Sequence, residues 1–371
     1  MRLTRAEIDL NALHQNVDAI RHYLPRSVKI MGLVKANAYG HGLVDIAQAL
    51  VRYGIDYLGV GFVEEGITLR ERGVMCPILV LGGVLGHQLE DFFHYDLEIT
   101  ISSLEIAHHI EEEAKRRGGF KARVHLKIDT GMERIGVRAE RAVAFVEQVK
   151  LLPHLDIVGI YSHFAASDEE DKAFTHEQLR RFCSVIDQLR QKYITVPLVH
   201  IANSGGILDV PDSYFSMVRP GIILYGVYPS KKTSESIAIT PVLSLKSNVV
   251  FVKEVDAGTS ISYGRTYMTK TKTRIVTVPI GYGDGYSRRL TNQGEVLIHG
   301  KRFPVVGTVC MDQLMVDVGL NTSVHVGDDV VLIGNNGNES ITAWDIADTV
   351  GTIPYEVFTG ITARVPRIYI Q

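Results

Sequence analysis

The chain has 371 residues, of which 46% are hydrophobic and 22% charged, and its formal net charge is −3. The length favours two domains, and the composition is that of a soluble globular protein rather than a disordered chain. Lysines and arginines are spread along the sequence, so no basic patch marks a nucleic-acid partner and a small-molecule ligand is favoured.

The N-terminal residues and the apolar stretches of the chain do not indicate export or a membrane span. The residues up to Leu10 alternate charged and apolar side chains and lack the apolar run of a secretory signal. The longest apolar stretch, Pro77–Gly86, is about half of the roughly 20 residues that a membrane span needs. We therefore expect a cytoplasmic protein. The three cysteines are far apart and odd in number, which predicts neither a disulfide framework nor a metal site.

From about residue 28 to 225, short apolar or β-branched runs alternate with amphipathic helical segments, a pattern that favours parallel strands joined by helices. The predicted strands are Val28–Val34, Tyr57–Gly61, Ile78–Gly82, Glu98–Ile101, Ala122–Ile128, Ile157–Ser162, Pro197–Ile201 and Met217–Leu224. The clearest predicted helices are Leu43–Tyr53, Leu104–Arg117, Arg138–Leu151 and His176–Lys192. Eight such units predict an α/β fold in which residues 1–232 form a (β/α)8 TIM barrel.

The pattern changes after about Lys231. Short strand-like runs separated by Gly, Asn and Asp predict a mostly-β domain over residues 233–371, and the residues up to about Leu10 are expected to pair with it. Only Thr342–Val350 has a clear helical pattern there. The predicted strands are Ala238–Val255, Arg274–Pro279, Gly294–Ile298, Val305–Val309, Met315–Val318 and Asp328–Ile333.

Reactive side chains come at or just after the ends of several predicted barrel strands. Lys35, Arg134, His163, Asn203 and Arg219 all occupy such positions. Barrel enzymes build their active sites at this carboxyl-terminal face. The clustering therefore predicts a catalytic mouth.

Lys35 is the first candidate for chemistry. It ends the apolar run Ile30–Val34. A lysine at the end of a buried strand loses hydration, which lowers its pKa and frees the amine to form a Schiff base with an aldehyde. The alternative is a lysine whose ammonium group simply reaches the solvent at the rim.

Glycine-rich segments follow the last two predicted barrel strands. They are HIANSGG at His200–Gly206 and RPGI at Arg219–Ile222. Loops at these places form the recurring phosphate site of barrels, although ordinary loop glycines would give a similar pattern. The β segment also carries dense Tyr–Gly motifs around Tyr263 and Tyr282, where each tyrosine alone is more often a packing residue.

The motifs of this chain, taken in order, resemble those of the alanine racemase family over essentially the whole sequence. Ten of them in register make the resemblance specific. They are AEIDLNAL at Ala6–Leu13, VKANAYGHG at Val34–Gly42, KIDTGMERIG at Lys127–Gly136, SHFAASDEED at Ser162–Asp171, HIANSGG at His200–Gly206, VRPGIILYG at Val218–Gly226, SYGRTY at Ser262–Tyr267, GYGDGYSR at Gly281–Arg288, VCMDQLMVDV at Val309–Val318 and TIPYEV at Thr352–Val357.

The resemblance implies an isomerase of fold type III that interconverts L- and D-alanine through an aldimine of pyridoxal 5'-phosphate (PLP) and supplies D-alanine for peptidoglycan. It implies that Lys35 carries PLP, and that Tyr263 from the second subunit of a homodimer reaches the opposite face of the cofactor. Racemisation removes the α-proton from one face and returns it to the other, so two acid–base groups are needed. Lys35 then exchanges the proton of D-alanine, and Tyr263 that of L-alanine.

Further roles follow from the same resemblance. Arg219 hydrogen bonds to the pyridine nitrogen of PLP and, with His163, polarises Tyr263. Because a guanidinium donates and keeps its proton, the ring stays unprotonated and side reactions such as transamination are reduced. Arg134 contacts the substrate carboxylate and the phenolic oxygen of the cofactor, and Lys127 matches a lysine that is often carbamylated to orient that arginine.

The remaining implied site residues fall into two sets. Met311 and Asp312 are donated to the substrate site by the partner subunit. The cofactor-binding set, much of it for the phosphate group, comprises Lys35, Tyr39, His163, Asn203, Ser204, Arg219, Gly221, Ile222 and Tyr355.

Three alternatives remain open at this point. A PLP-binding homeostasis protein has a similar barrel and no catalytic duty, but such proteins lack a counterpart of residues 233–371 with Tyr263. A serine or broad-specificity racemase shares the architecture, but Tyr355 is bulky enough to crowd larger side chains, so alanine is preferred. A basic amino-acid decarboxylase of the related barrel family differs in the SYGRTY and VCMDQ motifs.

Overall fold

The structure is a computed structural model that describes residues 2–371; Met1, the first residue of the predicted barrel domain, lies outside the described part. The chain divides into two compact units. One comprises Leu13–Ala38 and Leu43–Thr240, and the other comprises the residues up to Ala12, Tyr39–Gly42 and Pro241–Gln371. The short Tyr39–Gly42 segment thus leaves the first unit and packs with the second.

The first unit is a nearly closed barrel of eight parallel strands. In chain order, the barrel strands are Lys29–Leu33, Tyr57–Val60, Ile78–Val80, Glu98–Ile101, Ala122–Asp129, Leu155–Tyr161, Leu198–His200 and Met217–Val218. The eighth strand pairs with the first. The gap between the seventh and eighth strands is bridged where Val199 N donates to Ser216 Oγ at 2.7 Å and Arg219 N donates to the Ala202 carbonyl at 2.9 Å.

Four of the eight barrel strands are buried along their whole length, and three of these four are uninterrupted apolar runs in the sequence. A two-residue strand, Val137–Arg138, pairs with the end of the fifth. The α-helices between and around the strands are Leu10–Tyr23, which crosses the boundary between the units, Leu43–Arg52, Val63–Glu71, Leu89–His94, Leu104–Arg116, Ala139–Lys150, Ala173–Gln191 and Ser204–Asp209.

The second unit is mostly β structure. Its largest sheet has the order Lys301–Pro304, Glu295–Ile298, Asp329–Asn336, Leu243–Asn248, Arg5–Asp9 and Arg367–Ile370, with Glu339–Ile341 paired to Asp329–Asn336. A second sheet contains Phe251–Val255, Thr273–Val278 and Leu314–Asp317, and Ser260–Ile261 pairs with Tyr267–Met268. The helices are Ala343–Val350 and Pro354–Thr359.

The fold confirms the predicted architecture, a TIM barrel followed by a mostly-β region, and corrects four details. The predicted strand Ala238–Val255 is instead two strands, Leu243–Asn248 and Phe251–Val255, which belong to different sheets. The eighth barrel strand ends at Val218, because the chain turns at Pro220 and Gly221 and continues as the 3-10 helix Ile222–Tyr225. The predicted strand Val305–Val309 is replaced by Lys301–Pro304. A second helix, Pro354–Thr359, begins at a proline, whose fixed φ suits a first helical position.

None of the helices in residues 2–371 combines the length and the apolar character required to cross a lipid bilayer.

Gly159, on the sixth barrel strand, packs closely against His125, and a substitution there tests the packing of the barrel interior. A Cβ atom at this position would lie 2.0 Å from Nδ1 of His125. We expect Gly159→Ala to lower the free energy of unfolding by about 1–3 kcal/mol, because the ring cannot move without losing its hydrogen bonds. Denaturant unfolding would measure the loss, with Gly83→Ala as the control because nothing lies within 4 Å of its added methyl group. Equal stability of the two variants would contradict the packing.

Candidate active site

Lys35 directly follows the first barrel strand and opens an unusual turn. The next four residues, Ala36–Tyr39, all have left-handed backbone angles, with φ between 51° and 56°. None of them is glycine, and this region is unfavourable for residues with a Cβ atom. Hydrogen bonds hold the turn: Ala36 N donates to Glu65 Oε1 at 2.6 Å and Leu43 N donates to Asn37 Oδ1 at 2.8 Å. Strained backbone that is held in this way is characteristic of functional sites.

Glu65 is a residue that the sequence did not identify. Its carboxylate accepts hydrogen bonds from the backbone N–H groups of Ala36 and Gly61, the latter at 2.7 Å. The side chain therefore ties the turn after Lys35 to the end of the second barrel strand. A single glutamate on a helix gives no signal in the sequence that could have predicted this contact.

The amine of Lys35 is half-buried and, within residues 2–371, has no hydrogen-bond or ion-pair partner. Burial lowers its pKa, and so do the positive charges of Arg134 and Arg219, while the negative charge of Glu65 opposes the shift. A larger fraction of the amine is therefore neutral than in an ordinary lysine. A neutral amine is a nucleophile and a base.

Lys127, on the fifth barrel strand, is buried and 5% exposed. Its ammonium lies 4.9 Å from the centre of the Tyr161 ring. Burial and the charge of Arg219 lower its pKa to about 7. Asp129 shapes the loop that follows, because its Oδ1 atom accepts hydrogen bonds from the N–H groups of residues 131–133, and this turn leads to the exposed side chain of Arg134.

Arg219 is the most connected side chain at the barrel mouth and is 1% exposed. Its Nη1 lies 2.7 Å from Nδ1 of His200, and its Nη2 lies 3.2 Å from Nδ1 of His163. Nη2 also donates to the carbonyls of Ser162 and Ile201, at 2.7 and 3.0 Å. Burial lowers the pKa of Arg219 to about 10, and burial together with the charge of Arg219 lowers the pKa of His163 well below its usual value.

The glycine-rich segments after the seventh and eighth strands meet at Ser204. Gly221 N donates to Ser204 Oγ at 3.0 Å. Asn203 caps the short helix Ser204–Asp209, since its Oδ1 accepts from Gly206 N at 3.0 Å and from Ser167 Oγ at 2.7 Å. The first N–H groups of a helix have no partner within it. Together with the N–H of Ile222, which begins the next helical turn, they form a group of donors suited to an anion.

The second unit holds a separate group of predicted site residues. Tyr263 is 73% exposed and lies in a turn where Ser262, Gly264 and Arg265 have positive φ angles of 66°, 71° and 52°. Thr308 fixes this turn, because its Oγ1 donates to the Tyr263 carbonyl at 2.7 Å and its own carbonyl accepts from Ser262 Oγ at 2.6 Å.

Met311 and Asp312 are held next to this turn by the Gly281–Asp284 loop. Gly283 N donates to the Met311 carbonyl at 2.9 Å, and a Cβ atom at Gly281 would lie 2.1 Å from the Cys310 carbonyl, so a glycine is required there. Arg364 donates to Asp312 Oδ1 at 2.6 Å and pairs with the buried Asp284 at 3.2 Å. A cleft of about 780 Å³ is lined by Tyr263, Tyr282, Arg288, Thr308, Val309, Cys310, Met311, Asp312 and Gln313.

Tyr39 and Tyr355 also lie in the second unit, with their ring centres 5.8 Å apart. The structure thus sorts the predicted residues into two sets. The barrel set is Lys35, Lys127, Arg134, His163, Asn203, Ser204, Arg219, Gly221 and Ile222, and the second set is Tyr39, Tyr263, Met311, Asp312 and Tyr355. The structure adds four residues that the sequence did not identify as part of either set: Glu65, Tyr161, Asp284 and Arg364.

The barrel and its mouth define a class of protein: a TIM barrel with a half-buried lysine amine whose pKa is lowered by nearby arginines, and with backbone donors suited to an anion. Comparison with known proteins gives the family. The family model for the N-terminal domain of alanine racemase matches residues 8–229, and the model for the C-terminal domain matches residues 242–369. The chain belongs to the alanine racemase family, whose members are isomerases.

Individual relatives are similar over their full length. The chain is 48% identical over 368 residues to the alanine racemase of Halothermothrix orenii, covering 99% of this chain and 97% of the relative. A solved structure of alanine racemase from Clostridium difficile 630 is 42% identical with a TM-score of 0.95, covering 100% of this chain and 96% of that one. Its complex with cycloserine is 40% identical with a TM-score of 0.93 and the same coverage.

The lowered pKa of Lys127, about 7, leads to a prediction about carbon dioxide. A neutral amine adds CO2 to form a carbamate and releases one proton, whereas an ordinary lysine with a pKa near 10.4 is almost wholly protonated at neutral pH. We expect a carbamate on Lys127 at pH 8 that is lost as the pH falls through 7 to 6.

Carbon-13 NMR with labelled bicarbonate would detect the carbamate carbon. The signal should be absent from Lys127→Ala and unchanged in Lys121→Ala, an exposed lysine nearby in the chain. A signal that persists in Lys127→Ala, or none in the wild type, would contradict the prediction.

Proposed function

We propose that this protein is a PLP-dependent alanine racemase that interconverts L-alanine and D-alanine and supplies D-alanine for peptidoglycan. The observation that carries the proposal is the state of Lys35. Its amine is half-buried and partnerless within residues 2–371, and its pKa is lowered by burial and by Arg134 and Arg219. Such an amine reacts readily with an aldehyde carbon, and PLP presents one. Serine would be a slow side substrate.

The barrel residues suit the other parts of PLP as well. Ser204 and the N–H groups around Gly221 and Ile222 are donors for the phosphate, with Asn203 holding the helix end in place. Tyr39 and Tyr355 would complete the phosphate set. Arg219 is a buried donor for the ring nitrogen. When bound, PLP would supply an electron sink that stabilises negative charge on the α-carbon of the substrate.

The proton transfers need one group on each face of the substrate. Lys35 Nζ can take or return a proton on the barrel side, because its lowered pKa keeps part of the amine neutral. Tyr263 of the partner subunit would act on the opposite side. Its 73% exposure within one chain supports a role in a site formed with a second copy.

Arg219 and His163 prepare the site for Tyr263. A guanidinium only donates, so Nδ1 of His163, 3.2 Å from Arg219, accepts a hydrogen bond and the imidazole proton is on Nε2. The lowered pKa of His163 keeps the ring neutral. This N–H and the charge of Arg219 would favour the phenolate form of Tyr263. Because Arg219 keeps its proton, the ring nitrogen would also remain unprotonated, which limits transamination.

The substrate carboxylate would meet Arg134 and the backbone N–H of Met311 from the partner subunit, which would also donate Asp312 to the substrate site. Arg134 has no hydrogen-bond or ion-pair partner within residues 2–371, so its guanidinium is available for a carboxylate. Lys127, once carbamylated, would be a negatively charged group able to orient Arg134.

The two predicted domains would divide these tasks. Residues 1–232 would hold the cofactor and Lys35, and residues 233–371 would deliver Tyr263, Met311 and Asp312 to the second subunit of a homodimer. The family models support a boundary in this region, because they match 8–229 and 242–369. The pairing of strand Arg5–Asp9 with Leu243–Asn248 and Arg367–Ile370 supports the expected association of the first residues with the second domain.

The proposal predicts distinct defects for the two acid–base residues. We expect Lys35→Ala to lose the absorbance of covalently bound PLP, and both Lys35→Ala and Tyr263→Phe to lower the racemisation rate by about 10²–10⁴-fold. Polarimetry with each enantiomer would measure the rate. Tyr267→Phe is the matched control, because its hydroxyl binds Asp317 at 3.1 Å. Full activity of Lys35→Ala, or PLP binding without any racemisation by the wild type, would contradict the proposal.

A shared site predicts that two inactive variants complement each other. In a mixed dimer of Lys35→Ala and Tyr263→Phe chains, one site carries both changes and the other carries neither. After dissociation and random reassociation of equal amounts, we expect about a quarter of the wild-type activity to return, because half of the dimers are mixed and each has one intact site. Analytical ultracentrifugation would verify the dimer, and a failure to recover activity in verified mixed dimers would exclude a shared site.

A further inference from the structure

Four buried polar side chains form a continuous hydrogen-bonded chain through the barrel. Glu98 Oε2 lies 2.8 Å from His125 Nε2, His125 Nδ1 lies 3.0 Å from His200 Nε2, and His200 Nδ1 lies 2.7 Å from Arg219 Nη1. Each of the four residues is 1% exposed or less. They come from the fourth, fifth and seventh barrel strands and from the residue after the eighth.

The direction of every hydrogen bond in this chain can be assigned. Arg219 only donates, so Nδ1 of His200 accepts and the proton of that ring is on Nε2. This N–H donates to Nδ1 of His125, whose own proton is then on Nε2 and donates to the Glu98 carboxylate. Both rings are therefore neutral and each has a single tautomer. Burial and the charge of Arg219 also lower the pKa of His200 well below its usual value.

Neighbouring side chains fix the orientation of the two rings. Tyr161 stacks on His200 with ring centres 4.9 Å apart and an angle of 2° between the planes. The hydroxyl of Tyr161 lies 2.9 Å from Thr100 Oγ1, which itself donates to the Val80 carbonyl at 2.7 Å. His125 occupies the space left by Gly159, where a Cβ atom would lie 2.0 Å from its Nδ1. Neither ring can turn without losing these contacts.

Arg219 needs a distant counter-charge, because its hydrogen-bond partners within residues 2–371 are neutral. They are two imidazoles and the carbonyls of Ser162 and Ile201. A buried charge without a paired charge is costly. Glu98 is the carboxylate that the chain of hydrogen bonds reaches, and bonds in such a chain polarise one another. At the Glu98 end of this chain of hydrogen bonds, Arg123 Nε lies 3.2 Å from Glu98 Oε1.

We propose that Glu98 and His125 are positioning residues for Arg219. The Glu98 carboxylate selects the tautomer of His125, His125 selects that of His200, and His200 aims the charged guanidinium at the place of the cofactor's ring nitrogen. The role of Arg219 toward PLP rests on the proposed function. The tautomers assigned to His125 and His200 do not. Neither Glu98 nor His125 would touch substrate or cofactor.

Nitrogen-15 NMR of histidine-labelled protein, with and without PLP, tests the tautomers. In the wild type we expect His125 and His200 to be neutral with the proton on Nε2. In Glu98→Gln, the amide can donate as well as accept, so the signals of both rings should shift. The matched control is Glu111→Gln, because Glu111 binds His154 at 2.6 Å and should affect only that ring. An Nδ1–H tautomer or a charged ring in the wild type overturns the inference even if Glu98→Gln does not fold.

A double-mutant cycle tests the connection to Arg219. We expect Glu98→Gln to lower kcat and the affinity for PLP about tenfold, with the KM for alanine nearly unchanged, and to have little effect when Arg219 is already replaced by Lys. Equal losses of PLP affinity in both backgrounds would mean that Glu98 has only a structural role, and would overturn the inference. A wild type that binds PLP but does not racemise alanine would overturn the proposed function instead. The effect of Glu98→Gln on PLP affinity, compared between the two Arg219 backgrounds, would still decide the role of Glu98.

Discussion

The buried guanidinium of Arg219 determines the state of nearly every other group at the barrel mouth. Its position comes from the backbone, since its own N–H and its Nη2 are bound to carbonyls at the ends of the sixth and seventh strands. Because it can only donate, His163 and His200 must both accept and must both be neutral. Its charge also lowers the pKa of Lys35 and Lys127. One donor-only side chain thus sets two tautomers and favours two neutral amines.

A cluster of positive groups is costly to assemble, and here the repulsion between them changes the protonation of the lysines. Arg134 and Arg219 disfavour the charged forms of the nearby lysines, so that a larger fraction of the Lys35 amine is neutral. The same cations favour anionic ligands such as a carboxylate or a phosphate. Strain adds to the cost, since the turn after Lys35 holds four consecutive non-glycine residues at positive φ. Sites of this kind exchange local stability for reactivity.

The sequence predicted the barrel well because short runs rich in apolar or β-branched residues alternate with amphipathic helices. It overextended the eighth strand, where the chain turns at Pro220 and Gly221. The position of Lys35 at the end of a barrel strand could be predicted from the sequence. The left-handed turn after it could not, because Ala and Asn give no sign of positive φ and the carboxylate that holds the turn, Glu65, comes from a separate helix.

The polar chain inside the barrel did leave a signal in the sequence. Glu98 begins the fourth strand and His125 lies within the fifth, and polar groups in buried strands need partners. Their partners depend on which strands are neighbours in the barrel, and the sequence does not give that order. In the structure, the fourth and fifth strands pair with each other. The same limit applies to Arg364, whose contacts with Asp284 and Asp312 join distant parts of the chain.

The most direct test of the two-base account is the exchange of the α-proton in heavy water by PLP-loaded Tyr263→Phe, followed by proton NMR with each enantiomer separately. If Lys35 serves D-alanine and Tyr263 serves L-alanine, the variant should still exchange the α-proton of D-alanine and should lose exchange with L-alanine. Equal retention or equal loss with both enantiomers would contradict the assignment of the two residues to opposite faces.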